Sequence, residues 1–188
     1  MSLICKPFVF VRHGETPLNR DKLIGGRTDV PLTEEGEKQA LAAGPLLRSR
    51  TWSGVGVSSL QRARQTLELA LPGVQYETLD GLRERDWGLL ENHPIAELPP
   101  YESTPPWGES WEAFTTRVTD ALNSLLEKYE MPLIVAHSGV FRVIRYYPSG
   151  SHYADRVGYV VPMWVSPGNT AEEWQLVPLS DAFWQPRQ

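Results

Sequence analysis

Three short apolar runs, each breaking off at a polar cluster, constrain this chain more than anything else in it. Phe8-Val9-Phe10-Val11 stops at Arg12-His13-Gly14. Val55-Gly56-Val57 stops at Ser58-Ser59, with Arg62 close behind. Leu133-Ile134-Val135-Ala136 stops at His137-Ser138-Gly139. β-prone runs without polar alternation read as buried strands. The stretches between them have helical spacing. Thr33 is an N-cap with Glu34 and Glu35 in the first turn, and the helix runs to about Arg48 with Ala40, Leu41, Leu46 and Leu47 on one side. Leu60 to Leu71 repeats Ala63, Leu67 and Ala70 and stops at Pro72-Gly73. Trp111 to Tyr129 aligns Phe114, Val118, Leu122 and Leu125, and a further helix follows His137 to about Tyr146. Strands alternating with helices predict an α/β three-layer sandwich, a mostly parallel central sheet with helices on both faces. Sites in such sheets lie beyond the carboxyl ends of the strands, so the three polar clusters should share one rim.

The remaining segments have weaker signals. Gly14 to Leu32 is rich in Gly, Pro, Asn and Asp and reads as a long ordered loop. Val74 to Leu79 reads as a third strand, and the tail is β-prone over Val157–Val165 and Trp174–Val177. Residues 88–110 show no period and hold five prolines; they read as an excursion capping the site, with Trp87 and Trp107 packing there or lining a pocket. A length of 188 residues is that of one domain, so the expectation is a single domain over 1–188 with 88–110 as its cap or insert.

Charge and cysteine usage limit the partners. A net charge of −5 leaves no basic face for nucleic acid. No apolar run approaches the roughly 18 residues of a membrane helix. The N-terminus has no basic segment followed by an apolar stretch. Cys5, the one cysteine, reads as a small apolar residue of the first strand, and no intramolecular disulfide is possible. A cytoplasmic protein is expected. Residues 80–130 carry 11 of the 23 acidic side chains and 4 of the 18 basic ones, so the acidity is concentrated in the expected cap and the helix after it. An acidic cap over a cationic floor would disfavour highly charged substrates.

The polar clusters carry a resemblance. Val11-Arg12-His13-Gly14-Glu15-Thr16 with Asn19, then Gly26-Arg27-Thr28-Asp29-Val30-Pro31-Leu32-Thr33, is similar to the signature of the histidine phosphatase superfamily, the phosphoglycerate-mutase-like proteins. Ser58-Ser59-Leu60-Gln61-Arg62-Ala63-Arg64-Gln65-Thr66 and Leu82-Arg83-Glu84-Arg85-Asp86-Trp87-Gly88 resemble its next blocks. Val135-Ala136-His137-Ser138-Gly139-Val140 resembles its last, and Gly108-Glu109-Ser110 with Arg117 a block common in the phosphatase branch. These blocks occur in order over residues 8–145.

The resemblance implies that His13 attacks phosphorus and becomes a phosphohistidine, while Arg12, Arg62 and His137 bind the phosphoryl oxygens. The residue chemistry agrees. A histidine nucleophile must be neutral at one ring nitrogen and fixed at the other. Guanidinium forks suit charge spread over three oxygens, and Arg62 falls in the first turn of its helix, where the dipole favours an anion. Glu84 matches the family's general acid, with Glu91 and Glu109 as alternative proton donors. Asn19, Gly14, Thr28, Ser59 and Ser138 complete the expected substrate contacts. Arg27, Arg83 and Arg85 are either free surface arginines or contacts to a second anion; His93 and His152 read as loop surface. No Asp/His/Cys cluster has metal-ligand spacing, and no cofactor is implied. The function read from this pattern is a metal-independent phosphomonoesterase of histidine acid phosphatase type, acting on a small phosphorylated metabolite. A phosphoglycerate mutase is the alternative, and a non-catalytic phospho-ligand-binding protein a remoter one.

Overall fold

Burial of the three apolar runs organises the chain. In the computed structural model, which describes residues 2–168, 170 and 173–180, these runs become β1 (Phe8–Arg12), β2 (Val55–Ser58) and β4 (Leu133–Ala136), all buried. A short β3 (Glu77–Leu79) and the tail strands β5 (Met163–Ser166) and β6 (Gln175–Pro178) complete a six-stranded sheet of order β3-β2-β4-β1-β5-β6. The pairs among β1 to β4 are parallel, with Val9 opposite Leu133 and Val57 opposite Val135. β5 and β6 pair antiparallel at the β1 edge.

Alternation along the strands divides the core into two layers. Phe8, Phe10, Ile134 and Ala136 face one side, packed by α4 (Trp111–Lys128) and α5 (Ser138–Ser149). Val9, Val11, Val55, Val57, Leu133 and Val135 face the other, packed by residues of α2 (Glu34–Arg48) and α3 (Gln61–Ala70). Thr33 and Ser110 cap α2 and α4, accepting from the Gly36 and Ala113 amides. The expected three-layer, mostly parallel architecture is the one found.

Several local expectations need correction. The loop after His13 contains a one-turn helix, α1 (Pro17–Arg20), closed by a Thr16–Asn19 capping box that the Gly- and Pro-rich composition concealed. Leu41 is 54% exposed, because the buried face of α2 runs through Gly36, Ala40, Ala43, Gly44 and Leu47. Cys5 precedes β1 and is exposed. Trp107 is 86% exposed at a turn with φ +57°, so it neither packs nor lines a pocket. No helix among the described residues is long and apolar enough to cross a membrane.

Candidate active site

The carboxyl ends of β1, β2 and β4 deliver Arg12-His13, Ser58 and His137 side by side, with the two histidine rings 5.1 Å apart between centroids. Backbone bonds hold His13 in place: its amide donates to the Ala136 carbonyl at the end of β4. Its Nδ1–H donates to the Gly14 carbonyl at 2.6 Å. The acceptor has no proton to give, so the ring proton sits on Nδ1 and Nε2 keeps its lone pair. Gly14 is fixed in turn. Its amide donates to Thr66 Oγ1, whose hydroxyl donates to the Arg62 carbonyl. A Cβ on Gly14 would fall 2.5 Å from the Gly36 carbonyl oxygen, so only glycine lets α2 approach this closely. Burial, then the charges of Arg62 and Arg12, push the His13 imidazole well below its ordinary pKa and keep it neutral.

The two arginines are buried as well. Arg62 donates to the carbonyls of Thr28 and Gly26 at 2.8 and 2.7 Å, and burial lowers its pKa to about 10, still charged at neutral pH. Arg12 donates to the Val157 carbonyl at 2.8 Å and stacks 4.1 Å from the Tyr159 ring centroid, while its buried Nε has no protein partner. His137 is wholly buried. Its Nε2 lies 2.7 Å from Ser58 Oγ, and its Nδ1 has no partner. Burial, followed by Arg62, keeps this ring neutral too.

Glu84 faces these groups from the loop after β3. Its Oε1 accepts from the Arg85 amide and its Oε2 from the Gly139 amide, both at 2.9 Å. A Cβ on Gly139 would reach within 1.9 Å of the carboxylate. Arg117 braces the loop by donating to the carbonyls of Gly81, Arg83 and Glu84 while gripping both oxygens of Glu109. Glu109 is therefore tied into scaffolding. Glu91 is committed to Thr28, accepting its amide at 2.7 Å and its hydroxyl at 2.6 Å. Of the three carboxylates considered from sequence, Glu84 lines the cleft.

Arg12, Arg62, Glu84, Ser138, Gly139 and Asn19 line a cleft whose empty volume, counted with its open mouth, is about 700 Å³. His13, adjacent to Arg12 in the chain and close enough to Arg62 to feel its charge, is 4% exposed. Of the expected substrate contacts, Arg12, Asn19, Arg62 and Ser138 line the cleft, and Gly14, Thr28, Ser59 and His137 do not. Ser59 donates to Asp80 at 2.5 Å and Thr28 to Glu91, and neither belongs to the cleft wall. Gly14 meets the site through its carbonyl on His13.

Arg85 is not a free surface arginine. It is 1% exposed, stacks on Trp87 and donates to the carbonyls of Glu109, Tyr101 and Ser103. Arg27 and Arg83 are exposed. His152 is not loop surface either; it is 9% exposed among Tyr101, Trp111 and Tyr146. Nothing periodic marks Arg85 or Arg142 in the sequence, and their carbonyl partners lie in loops 10 to 24 positions away. No group of three or more His, Cys, Asp or Glu side chains among the described residues could hold a metal ion.

A parallel sheet whose strand ends pair two histidines with two buried arginines is the arrangement of one class of proteins. The model of the histidine phosphatase superfamily, branch 1, matches residues 8–156, and the chain belongs to that family. It is 40% identical over 134 residues to fructose-2,6-bisphosphatase TIGAR B of Danio rerio, a match covering 63% of this chain and 52% of that protein, about half its length. The α-ribazole phosphatase from Shigella flexneri superposes with a TM-score of 0.79 at 27% identity, covering 97% of this chain and all of that one. The phosphoglycerate mutase from Thermus thermophilus superposes with a TM-score of 0.73 at 30% identity, over 93% and 99% of the two chains. Two of these three relatives are named as phosphatases and one as a mutase.

Proposed function

We propose that this chain is a metal-independent phosphomonoesterase that acts on a small phosphorylated metabolite through a phosphohistidine. The observation that carries the reading is His13: a neutral ring anchored through Nδ1 to the Gly14 carbonyl, with Nε2 free beside buried Arg12 and Arg62. In the first step the Nε2 lone pair forms a bond to phosphorus as the ester P–O bond breaks. The departing oxygen takes the proton of the Glu84 carboxyl group. Charge on the phosphoryl oxygens is met by Arg62 and Arg12, preorganised by their carbonyl partners. Ser58 Oγ accepts from the Leu60 amide and pairs with His137 Nε2. In this reading the Ser58 hydroxyl donates to that nitrogen, and His137 carries its proton on Nδ1, the buried atom without a partner, to donate to a phosphoryl oxygen. In the second step Glu84 takes a proton from water as the water oxygen attacks phosphorus. The P–N bond breaks, phosphate leaves, and His13 is restored. Residues 88–110 act as the cap over the cleft.

The test uses a chromogenic aryl phosphate with chelator present. The wild-type protein is expected to hydrolyse it and His13→Ala is not; undiminished turnover by that variant removes His13 as nucleophile. Rapid quenching with labelled substrate should trap an acid-labile, base-stable adduct. The mutase reading rests on the likeness to the Thermus protein, and parallel assay of phosphoryl return to a second oxygen of the same substrate decides between the two.

A further inference from the structure

We infer that the ester carried by this phosphatase site is that of an apolar, planar alcohol rather than a polyhydroxylated sugar; the inference rests on the function proposed above. The cleft is lined by two unlike sets of residues. Arg12, Arg62, Glu84 and the start of α5 are the set that would meet the phosphoryl group. The other set is Leu23, Val30, Ile95, Leu98, Tyr101 and Trp111, all left part-exposed inside a concave surface. Apolar side chains that the fold could pack but instead leaves open keep the free energy of covering them for a ligand. The acidity of the cap segment, which the sequence predicts to face the site, does not face it. From residues 85–111 the cleft receives Arg85, Trp87, Ile95, Leu98, Tyr101 and Trp111, while Glu97 and Glu102 are exposed.

Several of the polar groups on this wall are already bonded within the protein. The three nitrogens of Arg85 donate to backbone carbonyls. Thr16 and Asn19 bond each other in the capping box. Arg142 gives Nη1 to the carbonyls of His152 and Ala154 and stacks 4.8 Å from the centroid of Tyr101. A sugar entering here would strip water from several hydroxyls against a mainly apolar wall, and each hydroxyl left unpaired there is costly. A planar apolar group meets Tyr101 and Trp111, whose rings are 5.6 Å apart and already part of a tilted aromatic cluster. Arg142 and the exposed Arg156 are the cations on this side, so a second anion on the substrate is the competing chemistry.

The experiment compares 2-(indol-3-yl)ethyl phosphate with ribose 5-phosphate and with fructose 1,6-bisphosphate. The first two are esters of primary alcohols, so their intrinsic reactivity is matched. The wild-type protein is expected to favour the indolyl ester by about tenfold or more in kcat/KM, chiefly through KM. Leu98→Asn and Ile95→Asn, at part-exposed positions that the core does not need, are expected to bring that ratio towards one. Equal or better turnover of ribose 5-phosphate overturns the inference. So does a preference for the bisphosphate that disappears in Arg142→Gln or Arg156→Gln. Either result leaves the phosphatase reading intact provided His13→Ala is dead toward every substrate. Activity surviving in His13→Ala overturns the proposed function itself.

Discussion

The floor and the wall of the cleft are built by different means. The floor hangs on strand ends: β1, β2 and β4 are buried on both faces, and His13 and His137 are the first residues past two of them, while Glu84 reaches in from the wall. The wall, residues 80–111 with 150–160, has no strand and only short 3₁₀ turns. Its backbone carbonyls are tied by arginines instead. Arg85 holds Tyr101, Ser103 and Glu109; Arg117 holds Gly81, Arg83 and Glu84; Arg142 holds His152 and Ala154. Charge-assisted bonds from one side chain to several carbonyls give a loop fixed geometry without a sheet. The chemistry therefore sits where packing is least negotiable, and the substrate's remainder meets a surface whose shape depends on a few side chains.

Removing a floor cation is expected to have the largest effect. Arg62→Ala loses a buried phosphoryl donor and frees the Gly26 and Thr28 carbonyls, so kcat should fall about 10³-fold. Arg62→Lys should recover little, because an ammonium cannot span both carbonyls and the phosphoryl group. A drop below about tenfold would show that the floor does not depend on this fork. For the wall, Arg85→Met keeps the apolar stem but strands three carbonyls, at a cost of roughly 3 kcal/mol in unfolding free energy. A urea titration measures it. If the floor and wall are independent in the way their construction implies, kcat on an aryl phosphate should survive in the folded fraction while KM rises.

The acid side of the stability curve sharpens the comparison, since both floor histidines are held neutral by burial and by the arginines. Their folded pKa values lie below the unfolded value of about 6.5. Above that pH the two states bind the same number of protons at these sites. Below it the unfolded chain takes up protons that the folded chain refuses, so stability falls as the pH drops. The slope is at most about 1.4 kcal/mol per pH unit for each ring. Urea midpoints between pH 7 and pH 5 should show it, and His137→Gln should remove its share. The acid limb of kcat/KM should likewise show no histidine step near pH 6.5, because His13 remains an unprotonated nucleophile below that pH.

The floor was legible in sequence because its signal is local. Strand, break, glycine and helix start are contiguous at Val11 to Gly14 and at Val135 to Gly139, and the strand bounds at 55–58 and 133–136 follow directly from the apolar runs. Even the antiparallel tail announced itself through β-branched and aromatic residues. The wall was not legible because each of its restraints joins residues with no common period. Arg85 meets carbonyls 16 to 24 positions away. An arginine in a Gly- and Pro-rich stretch reads as solvated by default, and a proline-rich segment gives no face to assign. The bonds of Ser59 and Thr28 were hidden for a related reason: their hydroxyls pair with Asp80 and Glu91, 21 and 63 positions away.

Where the two wall segments meet, the expected effect is smallest, and the reason is exposure. Glu102 accepts from the Tyr153 hydroxyl at 2.6 Å and from His152 Nε2 at 3.0 Å, joining the proline-rich loop to the segment after α5. The Tyr153 hydrogen bond, with a smaller contribution from His152, holds the Glu102 carboxyl below the usual carboxylate range. Its contribution is therefore present above that range and is lost as the pH falls through the lowered value, far from the histidine window of the floor. Glu102 is open to solvent, so water and salt screen the interaction. Glu102→Gln retains one acceptor and gives up the charge; KM for the indolyl ester should rise by no more than about twofold, with kcat unchanged and the difference vanishing in high salt. A large loss of kcat in this variant would mean that the wall's outer seam governs the floor, and the division between a packed floor and a bonded wall would fail at a seam where the two loops lean on each other.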